Sequence, residues 1–252
     1  MTEKEMTLHV IAYAHNGHTD KFGIPRQSRE QSPIVTRIVF EPEFAVPEAL
    51  RGIEGYSHLW LLWGFSENRV QNADRFTESE RTDCEWSPTV RPPRLGGNTR
   101  MGVFATRSPF RPNPIGLSSV RLIGIEQTAG SRQLELIVSG ADLLDGTPIY
   151  DIKPYLSFTD SHPDAINGFA EAHKDHRLQV SWELISRSRL VNGSELTREW
   201  LDAVSYVLAQ DPRPAYQDDP AREYKMDYGG YTITFFVENE TVYPKNIEKV
   251  RK

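Results

Sequence analysis

SHLWLLWGF, residues 57–65, is the stretch on which the reading of the fold turns. Leu59–Phe65 is apolar on both faces and predicts a fully buried strand. Upstream, Ile34, Thr36, Ile38 and Phe40 alternate with Val35, Arg37, Val39 and Glu41 at the period of two that a strand requires, and Leu8–Tyr13 is a further short apolar run. Downstream, Met101–Thr106, Ser119–Ile125 and Leu134–Val138 complete a set of about six strands. No convincing helix separates most of them, so the region lacks the strand–helix alternation of a doubly wound sheet and predicts a closed or sandwiched β architecture. A barrel also removes exposed edges.

After Leu156 the texture changes. SFTDSHPDAINGFAEAHKDHR is polar and reads as a linker. Ser194 then precedes a helix whose apolar residues Leu196, Trp200, Val204, Val207 and Leu208 share one face, and Asp211-Pro212 stops it. A terminal hairpin follows, with Tyr231, Ile233, Phe235 and Val237 on one face and a turn at Glu238–Glu240. The expected fold is mainly β: a β-barrel domain over residues 1–158 and a smaller α+β domain over residues 159–252.

With 38% hydrophobic and 25% charged residues in 252, the chain sits near the globular average, which sets aside disordered, collagen-like and coiled-coil classes. The single cysteine, Cys84, can form neither an internal disulfide nor a Cys-rich zinc site, which suits a reducing compartment. The scattered histidines support no metal centre. No signal-peptide-like run opens the sequence, and no window approaches the ~18 apolar residues of a membrane span. The expectation is a soluble cytoplasmic protein without membrane or metal.

Net charge is −6, but the charge is segregated. From Trp86 to Ile125 there is no acid and no lysine, while Arg91, Arg94, Arg100, Arg107, Arg111 and Arg121 give the window +6 and leave the rest of the chain −12. Such a window concentrates positive potential, and arginine favours bidentate contact with phosphate or carboxylate. The same stretch holds Pro88, Pro92, Pro93, Pro109, Pro112 and Pro114, which predicts a rigid loop ordered before any ligand arrives. Glycine fingerprints for dinucleotides and phosphates, the zinc-protease pattern and the serine-hydrolase elbow are all missing. In GADLLDGTPIYDIKPYL, residues 140–156, Asp142, Asp145 and Asp151 lie beside Gly146-Thr147-Pro148. Opposite an arginine loop, such a patch can hold a ligand cationic at one end and anionic elsewhere; the Asp-Gly pair reads equally as a turn.

PRQ at 25–27, GYSHLWLLWGF at 55–65, RPPRLGGNTRMGVFATRSPFRPNPIGLSSVRL at 91–122, DLLDGTPIYDIKPYL at 142–156 and LAQDPRPAY at 208–216 together resemble the TrmO (YaeB, TsaA-like) family. That family comprises S-adenosylmethionine-dependent tRNA methyltransferases acting on N6 of threonylcarbamoyladenosine at position 37, beside the anticodon. The resemblance runs over essentially the whole chain. It implies a β-barrel methyltransferase without a Rossmann core, a homodimer with the cofactor near the subunit interface, and a tRNA anticodon loop as partner. By matching position it implies cofactor contacts from Pro25, Arg26, Gln27, Phe65, Ser66, Arg107, Leu117, Asp145, Gly146, Thr147 and Pro148. The segment Glu67–Glu85 reads as an insertion.

A nitrogen flanked by a carbonyl is a poor nucleophile, so a group relieving its proton is expected, with Asp145, Asp142 and Tyr155 as catalytic candidates. Arg91, Arg94, Arg100 and Arg111 are candidates for RNA phosphates, and Arg213 for the carboxylate of the modified base. Two other readings stay open: a β-barrel RNA-binding module without catalysis, and a small-molecule methyltransferase using the same cofactor.

Overall fold

The computed structural model describes residues 7–20, 22–25, 28, 32–65, 86–92, 99–127, 133–173, 177–185, 196–213, 219 and 221–250. Among them the strands run β1 (Ala12–His15), β2 (Val35–Phe40), β3 (His58–Gly64), β4 (Thr89–Val90), β5 (Met101–Gly102), β6 (Ile115–Gln127), β7 (Leu134–Ser139), β8 (Thr147–Pro154), β9 (Gln179–Val180), β10 (Tyr224–Tyr228), β11 (Tyr231–Glu238) and β12 (Thr241–Lys249). Six of these close an antiparallel barrel in the order β1-β2-β7-β6-β3-β8, β8 returning to β1 through Ala12 opposite Ile149.

The alternation in β2 does what its period dictates: Thr36, Ile38 and Phe40 are buried while Val35 and Arg37 face out. Small Ala12 and Ala14 on β1 share the interior with Leu59, Leu61, Trp63, Leu136, Val138 and Ile149, so side chains fill the barrel. In β3 only Leu59, Leu61 and Trp63 turn inward; His58, Trp60 and Leu62 are half-buried on the outer face. The strand buried on both faces is β7 instead, where even Glu135 is covered and takes a hydrogen bond from Arg37 Nε at 2.6 Å. Periodicity cannot separate a half-covered outer face carrying tryptophan and leucine from a buried one.

The sixth barrel strand is also not the one expected. Of Met101–Thr106 only Met101–Gly102 pairs, with Thr89–Val90 outside the barrel, and Val103–Ala105 continues as a 3-10 turn. Its place belongs to β8, which follows the Asp145-Gly146 turn directly, Gly146 having φ +76°. The β3–β8 ladder carries a bulge: Leu62 faces Asp151 and Trp63 faces Ile149, leaving Tyr150 without an opposite.

The C-terminal part forms a four-stranded sheet, β10-β11-β12-β9, with β9 parallel to β12. On it lies the Arg198–Ala209 helix, capped by Thr197, whose side chain accepts from Trp200 N at 3.1 Å. The helix buries Leu201, Ala203, Val204, Val207 and Leu208. Ile233, Phe235 and Val237 are buried on β11, and the two-residue turn Asn239-Glu240 has both residues at positive φ (48° and 59°). Beyond expectation, β10 alternates buried Tyr224, Met226 and Tyr228 with more exposed Lys225 and Asp227. Among the described residues no helix is long and apolar enough to cross a membrane.

Candidate functional site

At one end of the barrel β3 and β6 run out side by side, Gly64 opposite Ile115, and Phe65 N still bonds Pro114 O at 3.0 Å. The proline-rich loop then folds back on itself. Ser87 N donates to Phe110 O at 3.3 Å, Val103 N to Pro88 O at 3.0 Å, and Arg111 Nη1 to both Thr106 O and Ser108 O at 3.1 Å. Between this loop, the barrel end and Ile24–Pro25 lies a cavity of about 510 Å³. That size suits a bound small molecule.

The walls are largely apolar and aromatic, with Trp60, Trp63, Phe65, Leu117 and Leu144. Trp63 and Phe65 meet edge to face at 4.4 Å, and the indole lies across Gly116, where any Cβ would overlap it. Trp60 is oriented from outside: its Nε1 donates to Asp160 Oδ2 at 2.9 Å and its ring packs 5.5 Å from Tyr155. The amide of Leu156 and this indole hold the Asp160 carboxyl below its ordinary range.

The polar lining includes Thr106, Arg107, Arg111, Asp142 and Thr147. Trp63 Nε1 donates to Ser118 Oγ at 2.9 Å, and Ser118, 1% exposed, donates to Asp142 Oδ1 at 2.5 Å. With the indole occupying its acceptor side, the single hydroxyl proton is directed at the carboxyl. Burial pushes the Asp142 carboxyl up; the Ser118 hydroxyl, the backbone N–H groups of Asp142 and Ser28, and the charge of Arg107 pull the other way. The result is one carboxyl and one guanidinium facing a common, partly dry space.

Of the residues expected from sequence, Pro25, Phe65, Arg107, Leu117, Asp142, Thr147 and Arg111 line this cavity. Asp145, Gly146 and Pro148 are adjacent in chain but outside the cavity lining: Asp145 and Gly146 form the turn, and Pro148 sits in β8 opposite Tyr13. Asp145 Oδ1 accepts from Asn16 N at 3.1 Å and lies 3.1 Å from His15 Nδ1, its own amide donates to His18 O, and Gly146 N donates to Ala14 O, both at 2.8 Å. Tyr155 is not part of the cavity lining; its ring packs against Trp60, which is. Arg91 and Arg100 stand exposed beside the β4–β5 ladder, Arg100 donating to Thr89 Oγ1 at 3.0 Å. Arg213 is 11% exposed and grips Asp211 at 2.8 and 3.0 Å, away from the cavity lining. Arg26, Gln27, Ser66 and Arg94, and the insertion Glu67–Glu85, lie outside the described residues. Sequence reasoning did not single out Trp60, Trp63 or Ser118 for the site. Their signal is the register that sets Trp63 against Gly116, and it exists only once β3 and β6 are paired.

Residues 13–161 match the tRNA-methyltransferase O N-terminal domain and residues 175–250 the TrmO C-terminal domain. A protein of Eikenella corrodens named tRNA (adenine(37)-N6)-methyltransferase is 47% identical over 184 residues, covering 73% of this chain and 92% of its own. The Escherichia coli K12 protein of the same name is 39% identical over 207 residues, 82% of each chain. The crystal structure of TrmO from Pseudomonas aeruginosa superposes with a TM-score of 0.72 at 31% identity, over 97% of this chain and 99% of that one. Matched along both domains, in sequence and in fold, this chain belongs to the tRNA-methyltransferase O family.

Proposed function

We propose that the protein transfers a methyl group from S-adenosylmethionine to N6 of threonylcarbamoyladenosine at position 37 of tRNA. The observation that carries this reading is the cavity at the barrel end, where Arg107 and Asp142 face each other between aromatic walls. The donor set fits a zwitterionic, cationic-sulfur cofactor with a flat base: a guanidinium for its carboxylate, a buried carboxyl for its cationic part, and indole and phenyl faces for its adenine. When bound, that cofactor supplies a methyl group on a leaving group already activated.

The chain's part is then orientation and proton handling. Pro25, Phe65, Arg107, Leu117 and Thr147 are assigned to holding the cofactor, with Arg26, Gln27 and Ser66 carried over from the family resemblance. As N6 forms its bond to the methyl carbon it releases a proton. Asp142 is assigned as its acceptor, because burial raises the carboxyl's affinity for a proton and the Ser118 hydroxyl holds the group in place at the cavity wall. Asp145 is assigned to holding the turn and Tyr155 to steadying Trp60. Arg91 and Arg100, exposed on one ladder, are assigned to RNA phosphates.

Residues 1–158 would carry the chemistry and 159–252 support it. Ile115 and Leu117 line the cavity yet are 37% and 52% exposed, which agrees with a second copy covering them in a cytoplasmic homodimer.

The test is incubation with methyl-labelled S-adenosylmethionine and tRNA from a strain lacking the gene, followed by mass spectrometry of the nucleosides. Label in methylated threonylcarbamoyladenosine is expected. Asp142→Asn should lower kcat by about a hundredfold or more, and Arg107→Ala should weaken the cofactor by about tenfold or more. Cofactor binding without labelled nucleoside would overturn the substrate assignment, and no cofactor binding would overturn the enzyme reading.

A further inference from the structure

Between β1 and β2 the chain leaves the barrel, packs Phe22 and Ile34 into the core of the C-terminal sheet, and returns. The seam is close at two points. The Cα of Gly17 faces the ring of Tyr228 so directly that a Cβ there would lie 2.6 Å from its Cζ, and Gly229 N donates to Gly17 O at 2.8 Å. His18 adds an edge-to-face contact with the same ring at 5.1 Å. Further on, Gly23 has φ +101°, and a Cβ would come within 2.9 Å of Met226 Cγ and 3.3 Å of Val207 Cγ1. Met226 and Tyr228 are alternate inward residues of β10, so one strand of the C-terminal sheet presses on the loop at two glycines that admit it only by lacking side chains.

The other side of this loop faces the cavity. Ile24 and Pro25, immediately after the Met226 contact, form part of its wall, and the backbone N–H of Ser28 supports the Asp142 carboxyl. At the loop's start, His18 O takes the amide of Asp145, the residue that opens the turn into β8. A short segment therefore carries the C-terminal sheet on its back and a wall of the cavity on its front.

We infer that β10 is a positioning element for the cofactor site: Tyr228 and Met226 hold the Gly17–Pro25 loop in its cofactor-binding shape, although neither residue lines the cavity. Preorganising a wall in this way strengthens binding without adding a contact, because the ordering entropy is spent during folding. The inference rests on the cofactor reading of the cavity.

The experiment uses the full chain. S-adenosylhomocysteine is titrated calorimetrically into wild type, Tyr228→Ala, Tyr228→Phe and Gly17→Ala, and S-adenosylmethionine KM and kcat are measured at saturating tRNA. Circular dichroism and thermal melts establish that each variant is folded. Tyr228→Ala and Gly17→Ala should weaken S-adenosylhomocysteine and raise KM by about tenfold, with kcat at saturating cofactor within about twofold of wild type. Tyr228→Phe, which keeps the ring, should behave as wild type. A merely structural role would lower the melting temperature and leave Kd and KM unmoved, which would overturn the inference. So would loss of tRNA affinity with cofactor affinity intact. If Tyr228→Ala does not fold, Gly17→Ala decides on the same criteria. Failure of the wild-type chain to bind S-adenosylhomocysteine would instead overturn the cofactor reading itself.

Discussion

His18 makes stability depend on pH in a way that can be worked out from its surroundings. It is 1% exposed, its Nε2 has no hydrogen-bond partner among the described residues, and burial lowers its pKa from 6.5 to about 4. The unfolded chain therefore takes up a proton at 18 as pH falls through 6.5, whereas the folded chain resists until about 4. Stability from this residue is complete above about pH 6.5 and is lost progressively down to about pH 4. At 1.36 kcal/mol per pH unit the full interval is worth about 3 kcal/mol, of which about 2 kcal/mol is gone by pH 5. Other groups titrate in the same range, so the measurement is a difference. Urea unfolding of wild type and His18→Phe is followed between pH 8 and pH 4.5, the phenyl ring preserving the edge contact with Tyr228. The wild-type curve should fall below the variant's by about 2 kcal/mol more at pH 5 than at pH 7.5. Parallel curves across that range would mean that His18 is solvated or paired and does not resist protonation in the folded chain.

Two further outcomes follow from removing single side-chain hydroxyls. Ser118→Ala strips the Trp63 indole N–H and Asp142 of their shared partner at 2.9 and 2.5 Å; it should cost about 1–3 kcal/mol in urea unfolding and raise the Asp142 pKa, visible as an upward move of the acidic limb of the pH–rate profile. Thr197→Ala removes the helix cap to Trp200 N and should cost about 1 kcal/mol while leaving S-adenosylhomocysteine affinity unchanged, as calorimetry would register.

What could be read from the chain follows from how locally each feature is determined. The β2 strand, the β11–β12 hairpin and the Arg198–Ala209 helix were legible because one face of each is buried and the period is written in adjacent residues. β8 was hidden by Pro148, Asp151 and Pro154; the prolines lie near its two ends, where a ladder tolerates them, and its outer face is half-covered. Met101–Thr106 has strand-like composition but bends after two residues, so the number of barrel strands agreed while one of its members did not. In the site, Asp142 and Asp145 are indistinguishable as letters in DLLDG. Only the approach of β1, with Asn16 and His15 meeting Asp145, assigns one carboxylate to the turn and leaves the other facing the cavity. Long-range register of this kind has no local signature.

The closure of β1 on β8, and the seating of the Gly17–Pro25 loop against β10, also bear on synthesis. Both junctions join the first tenth of the chain to strands made much later, and such non-local pairings form slowly. A nascent chain can close its barrel only after Pro154 has emerged, and it lacks a surface for the loop until Tyr228 has followed. At about 5–20 residues per second that lag is roughly 4–15 s. During that interval Phe22 and Ile34 lack the core they enter in the folded chain, and the Ile24–Pro25 wall of the barrel-end cavity gains its backing from β10 only as the last strands are made.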